Sequence, residues 1–182
     1  SCVAMNGFTC FAVYKAIEET GFNVECLDLQ NHNLNFSAET LENALSKNPR
    51  IKAVVIQNTF GYPTDIEKIV RICYENEIIL IEDLAHCVGT RYESGIEAGK
   101  VGDFVTLSFS QDKIIDAVSG GALVIRNKQY GNSTIQHSNN IGNKRQLIDK
   151  FYPLFTFLIR KTYNLGLGKP IHFILKNLNL LS

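Results

Sequence analysis

Residues 51–57, Ile-Lys-Ala-Val-Val-Ile-Gln, form a β-branched run without the alternation of a half-exposed strand. Such a run suits a strand covered on both faces, which is the situation inside a parallel sheet. The signal returns at 78–81, Ile-Ile-Leu-Ile, before Glu82-Asp83. Between the two runs, Pro63-Thr64-Asp65 opens a helix to about Asn76, with Ile66, Ile69, Val70 and Cys73 at helical spacing. Upstream, residues 2–5 and 23–27 read as strands. Residues 9–20 read as a helix stopped by Gly21, and Ser37 as the N-cap of a helix running to Asn48. This alternation predicts an α/β fold, a mainly parallel sheet with helices on both faces. In such sheets ligands sit beyond the carboxyl ends of the strands.

After Gly89 the pattern changes. Residues 104–109 and 122–125 read as strands, and Gly120-Gly121 permits a tight turn before the second. Residues 127–143 are polar and read as a loop. The segment 147–182 mixes aromatic with basic residues and is interrupted by Pro153, Gly166, Gly168 and Pro170, which predicts two or three short helices. One reading makes it an insertion packed on the core or on a further domain. The sharper reading makes it a segment lying on a membrane surface.

Composition removes other classes. The formal net charge of zero provides no global field for nucleic acid or membrane. The longest apolar stretch, 151–159, is roughly half the ~20 residues that cross a bilayer. Ser1-Cys2-Val3 has no basic start of a secretory signal. Five cysteines, odd in number and without a CxxC pair, point to a reducing cytoplasm rather than to a disulfide framework or a zinc site. There is no initiator Met and the first residues already read as a strand, so the sequence is expected to be a piece of a longer protein.

The chemistry concentrates in three places. Ile81-Glu82-Asp83-Leu84-Ala85-His86 puts an acid at the end of a buried strand. Leu107-Ser108-Phe109 puts a hydroxyl on the next strand. Lys113 follows, ahead of Ser119-Gly120-Gly121. A carboxylate for a ring nitrogen, a donor for a phosphate and an amine for an aldehyde are the parts that hold pyridoxal phosphate. Each has a plainer reading. A lone lysine is usually a solvated charge, a strand-end aspartate a helix cap, and His86 a satisfied structural histidine one helical turn on. Ser108 alone is as readily an ordinary strand serine. Together and in order they favour a cofactor site.

The stretches Gly7-Phe8-Thr9, Thr59-Phe60-Gly61-Tyr62-Pro63-Thr64-Asp65, 81–86, Val101-Gly102-Asp103, 107–109 and Lys113 with Ser119-Gly120-Gly121-Ala122 resemble the DegT/DnrJ/StrS family of pyridoxal-phosphate-dependent sugar aminotransferases, from about residue 3 to about residue 127. The resemblance implies the large domain of fold type I over residues 1–127, a polar loop over 128–146, and a helical insertion or the start of a further part over 147–182. It implies that Lys113 bonds covalently to the cofactor, Asp83 pairs with the pyridine nitrogen, His86 contacts the cofactor and Ser108 binds its phosphate. Cys10 stands where some relatives stack an aromatic residue on the ring. The expected reaction is amino transfer, from glutamate, to a nucleotide-linked keto-sugar by a cytoplasmic homodimer with active sites at the interface. The family's upstream Ser-Gly-Thr phosphate segment, its downstream Asn and its small C-terminal domain are expected outside this sequence. The alternatives are a family dehydratase, whose members carry His where Lys113 stands, and a non-catalytic regulatory protein that keeps the fold.

Overall fold

The computed structural model describes residues 1–131 and 141–181, and the chain divides into two compact bodies. The first body comprises residues 1–108 with 121–131, and the second 109–120 with 141–181.

The first body is a six-stranded sheet. Its elements in chain order are β1 (Cys2–Asn6), α1 (Phe11–Glu19), β2 (Asn23–Leu27), α2 (Ala38–Lys47), β3 (Ile51–Ile56), α3 (Ile66–Glu75), β4 (Ile79–Asp83), β5 (Phe104–Ser108) and β6 (Gly121–Ile125). The spatial order is β2-β1-β3-β4-β5-β6, with every pair parallel except β5–β6. The mainly parallel α/β sheet expected from the sequence is present.

The order fixes where the helices go. The chain moves outward from β1 to β2, then crosses back over β1 to reach β3 and continues to β4. Right-handed crossovers therefore place α1 on one face, and α2 with α3 on the other. The α2/α3 face holds the core, in which Leu41, Val54 and Ile69 are fully enclosed. The α1 face is thinner, because α1 buries none of its side chains. This explains a departure from the sequence reading. The run 78–81 was expected to be buried throughout, yet Ile79 and Ile81, on the α1 side, are only half-buried, whereas Leu80 and Glu82 are enclosed.

Local chemistry sets the element ends. Ser37 accepts a hydrogen bond from the Thr40 amide at 3.0 Å and caps α2. Gly21 ends the α1 segment at φ +79°, a conformation glycine adopts without strain. A Cβ on Gly121 would lie 2.6 Å from the Leu107 carbonyl oxygen, so only glycine lets β6 pair this closely with β5.

The second body holds α4 (Asn143–Tyr163) and α5 (Gly168–Asn177), which pack on each other. The sequence predicted short helices broken at Pro153, but α4 runs straight through it for 21 residues. An internal proline removes one backbone hydrogen bond. Here Ile148, Tyr152, Phe155 and Ile159 form a continuous more-buried stripe that offsets the loss. Of the polar stretch 127–143, residues 132–140 lie outside the described residues. Its start forms a short turn in which Asn127 accepts from the Gln129 amide at 3.0 Å, and its last residue already belongs to α4.

Candidate functional site

Three neighbouring strands end in polar residues: Asn6 on β1, Gln57 and Asn58 after β3, and Asp83 on β4. The strand order reverses between β1 and β3, and a parallel sheet opens a crevice at such a switch point. A cavity of about 220 Å³ lies there, lined by Phe8, Thr9 and Cys10 after β1, by Gln57, Thr59 and Phe60 after β3, and by Asp83 and His86 after β4.

Asn6 ties its rim together. The Nδ2 group donates to the Leu34 carbonyl at 2.7 Å, the Phe8 carbonyl at 3.1 Å and Thr59 Oγ1 at 3.2 Å. Asn58, at φ +47°, donates to the Tyr92 hydroxyl at 2.9 Å and accepts from the Thr64 amide at 3.0 Å. Phe60 also holds a positive φ, +54°, a conformation a bulky residue rarely adopts. Its ring meets Phe8 edge-on, with centroids 6.2 Å apart.

Asp83 is almost fully buried. Its carboxylate accepts from Gln57 Nε2 at 3.1 Å, from the Ala85 amide at 3.0 Å and from Thr106 Oγ1 at 3.3 Å. All three donors are neutral, so they orient the carboxylate without neutralising it. Two further cavity-lining residues, Gln57 and Thr9, each keep a buried oxygen (Oε1 and Oγ1) with no hydrogen-bond partner. Each such atom costs about 1–3 kcal/mol if nothing fills the cavity. A polar ligand with a ring between Phe8, Phe60 and Asp83 fits this lining.

The adjacent Glu82 points to the opposite face and is completely enclosed. It accepts from the Tyr92 hydroxyl at 2.8 Å and from the amides of Gly99 (2.7 Å), Val101 (3.0 Å) and Gly102 (2.7 Å). Burial and the nearby Glu82 charge push the Tyr92 phenol well above its usual range, so it stays a donor. Cys87 donates its thiol to the Asp83 carbonyl at 3.3 Å, and burial, with Asp83 and Glu82 adding to it, pushes that thiol up to about 12.

The structure brings Asp83, His86 and Cys10 to one cavity. His86 reaches it from a turn, not from the helix the sequence suggested, and is exposed. Cys10 precedes α1 as its N-cap without a side-chain capping bond. Ser108 is the last residue of β5, half-buried, two residues beyond the Thr106 that holds Asp83. Lys113 belongs to the second body. It is half-buried on a turn whose backbone is closed by Lys113 N to Ser110 O at 3.3 Å and by Phe109 N to Gly120 O at 2.9 Å. Sequence reasoning missed Gln57, Thr9 and Glu82. The signal for Gln57 was available: like Asp83, it is a polar residue ending an apolar strand run.

The family model for the DegT/DnrJ/EryC1/StrS aminotransferases matches residues 1–155. A GDP-perosamine synthase of Escherichia coli O157:H7 is 31% identical over 120 residues, which is 66% of this chain and 32% of that protein. A GDP-4-keto-6-deoxy-D-mannose 3-dehydratase of Yersinia pseudotuberculosis is 28% identical over 111 residues, 61% of this chain and 28% of its own length. Among solved structures, the aminotransferase TlmJ from Streptoalloteichus hindustanus superposes with a TM-score of 0.65 at 30% identity, covering 71% of this chain and 34% of that one. The chain thus spans about a third of the length of the curated relatives it matches. With the match running through all six strands and the whole cavity lining, this chain belongs to the DegT/DnrJ/EryC1/StrS aminotransferase family.

Proposed function

We propose that the protein is a pyridoxal-phosphate-dependent aminotransferase that moves an amino group, from glutamate, to a nucleotide-linked keto-sugar in the cytoplasm, acting as a homodimer. The observation that carries this reading is the Asp83 carboxylate, buried among neutral donors on the floor of a switch-point cavity whose Gln57 and Thr9 oxygens lack partners. When bound, pyridoxal phosphate supplies an electron sink for charge developing on the carbon beside the transferred nitrogen.

The residues divide the remaining work. Asp83 holds the ring nitrogen protonated, which a carboxylate can do and a neutral amide cannot. Gln57 and Thr106 aim that carboxylate. Phe8 and Phe60 supply an apolar wall of the cavity. His86 contacts the cofactor, and Cys10 takes the place of a larger stacking group. Ser108 donates to the phosphate. Lys113 would bond covalently to the cofactor and, once displaced from it by the amino donor, would take the α-proton of glutamate in the first half-reaction and deliver a proton to the acceptor carbon of the sugar in the second. The residues 1–127 are the cofactor domain in this reading, with 128–146 as a loop and 147–182 as an added helical part.

A lysine at position 113 favours amino transfer over dehydration, the branch whose members place His there. The test supplies cofactor, glutamate and a panel of nucleotide-linked keto-sugars, and follows 2-oxoglutarate and amino-sugar formation. The expected result is equimolar appearance of both products, lost in Lys113→Ala. Formation of neither product by the cofactor-loaded protein, or sugar deoxygenation without amination, contradicts the proposal.

A further inference from the structure

The charge of the chain is sharply divided. Residues 141–181 carry seven Lys and Arg against one acid, Asp149, whereas residues 1–140 carry eleven against seventeen. The neutral total hides a strongly basic helical segment. Within it, α4 spends one face on its inner stripe, where Ile148 is buried. On another face Leu147, Phe151, Leu154 and Leu158 stand in a line at i, i+4, i+7 and i+11, each between 41% and 57% exposed. Lys150 and Lys161 lie three residues after Leu147 and Leu158, and so flank the same side of that line. Lys161 also sits 5.7 Å from the centre of the exposed Phe157 ring.

We infer that α4 is a surface-docking helix for an anionic lipid bilayer, with the Leu147–Leu158 line entering the headgroup boundary and Lys150 and Lys161 reaching back to lipid phosphates. An apolar row of this length is rarely left to water, and long lysine stems bury their methylenes while keeping the charge at the interface. The helix lies on the membrane and does not cross it. No helix among the described residues is long and apolar enough to span. A second copy of the same face is a poor occupant, since it would bring two strongly basic segments together. An anionic lipid surface complements both the charge and the apolar row. This inference is independent of the cofactor reading.

The test is flotation of the 182-residue chain with vesicles of phosphatidylcholine alone and with about a third phosphatidylserine. Flotation is expected only with the anionic vesicles, falling about tenfold or more when salt rises from about 0.1 M to about 0.5 M. The double variants Phe151→Ser/Leu154→Ser and Lys150→Glu/Lys161→Glu are each expected to stay unbound while keeping the parent's circular dichroism. The inference is overturned if the chain floats with neither vesicle, if it floats equally with both, or if the variants float like the parent. It is also overturned if sedimentation shows an oligomer that Leu154→Ser dissolves, which would assign the row to self-association.

Discussion

Glu82 and Asp83 are adjacent carboxylates on one strand, facing opposite sides of one sheet, and their surroundings differ in kind. Glu82 lies on the α2/α3 side, where it is fully enclosed and four donors converge on it. Asp83 lies on the thinner side, aimed by three neutral donors and lining a cavity with two unsatisfied oxygens. The difference teaches that burial of an acid is no sign of function by itself. A carboxylate whose hydrogen bonds are saturated by its own fold is a clamp; one that is oriented, wall-mounted and next to unmet polar atoms is a site.

Substitutions that separate stability from chemistry sharpen this contrast. Glu82→Ala strands the Tyr92 hydroxyl and three backbone amides, and is expected to cost about 3–5 kcal/mol of stability, read by urea unfolding. Loss of under about 1 kcal/mol would show that the clamp is dispensable. Asp83→Asn keeps the size but removes the charge, and its Nδ2 group bonds Gln57 once that amide turns its unpartnered Oε1 towards it. It is expected to lower the rate of amino transfer roughly 10²–10³-fold, the scale for removing one preorganised charge-stabilising group, with unfolding almost unmoved. Equal stability losses in the two variants would erase the distinction. Gln57→Ala removes one of the three groups that aim Asp83. It should weaken cofactor binding by about fivefold, the equivalent of one hydrogen bond near 1 kcal/mol, measured by fluorescence titration.

The smallest effect concerns pH. Burial pushes the Cys87 and Cys73 thiols from 9.0 up to about 12 in the folded chain, and an unfolded chain releases those protons sooner. The stability this provides is complete below pH 9 and is lost as pH rises towards 12. The urea midpoint should therefore be flat in this respect from neutrality to pH 9 and fall beyond it. In the folded chain iodoacetamide should modify the exposed Cys10 and Cys26 first, with Cys73 and Cys87 protected.

Much of this was legible in the sequence, for identifiable reasons. Unbroken apolar runs at 51–57 and 78–81 fixed β3 and β4, and a strand end after such a run fixed Asp83. Asp83 and His86 were expected together from their shared motif and Cys10 from the family resemblance, and the three line one cavity. What stayed illegible depends on the backbone or on packing. Glu82 is satisfied chiefly by the amides of residues 99, 101 and 102, which carry no side-chain signature. The half-exposure of Ile79 and Ile81 follows from which face α1 takes, a property of strand order and not of local pattern. Pro153 looked like a helix end because its local cost is plain, while the packing stripe that overrides it is spread over Ile148, Tyr152, Phe155 and Ile159.

The central claim is that the cavity floored by Asp83 takes pyridoxal phosphate and that Lys113 fixes it. The most direct measurement adds pyridoxal phosphate to the protein, reduces with borohydride and locates the pyridoxyl group by peptide mass spectrometry, alongside Asp83→Asn. The account predicts one labelled lysine, Lys113, with labelling diminished in the variant. A label spread over other lysines, or one indifferent to Asp83, would contradict it.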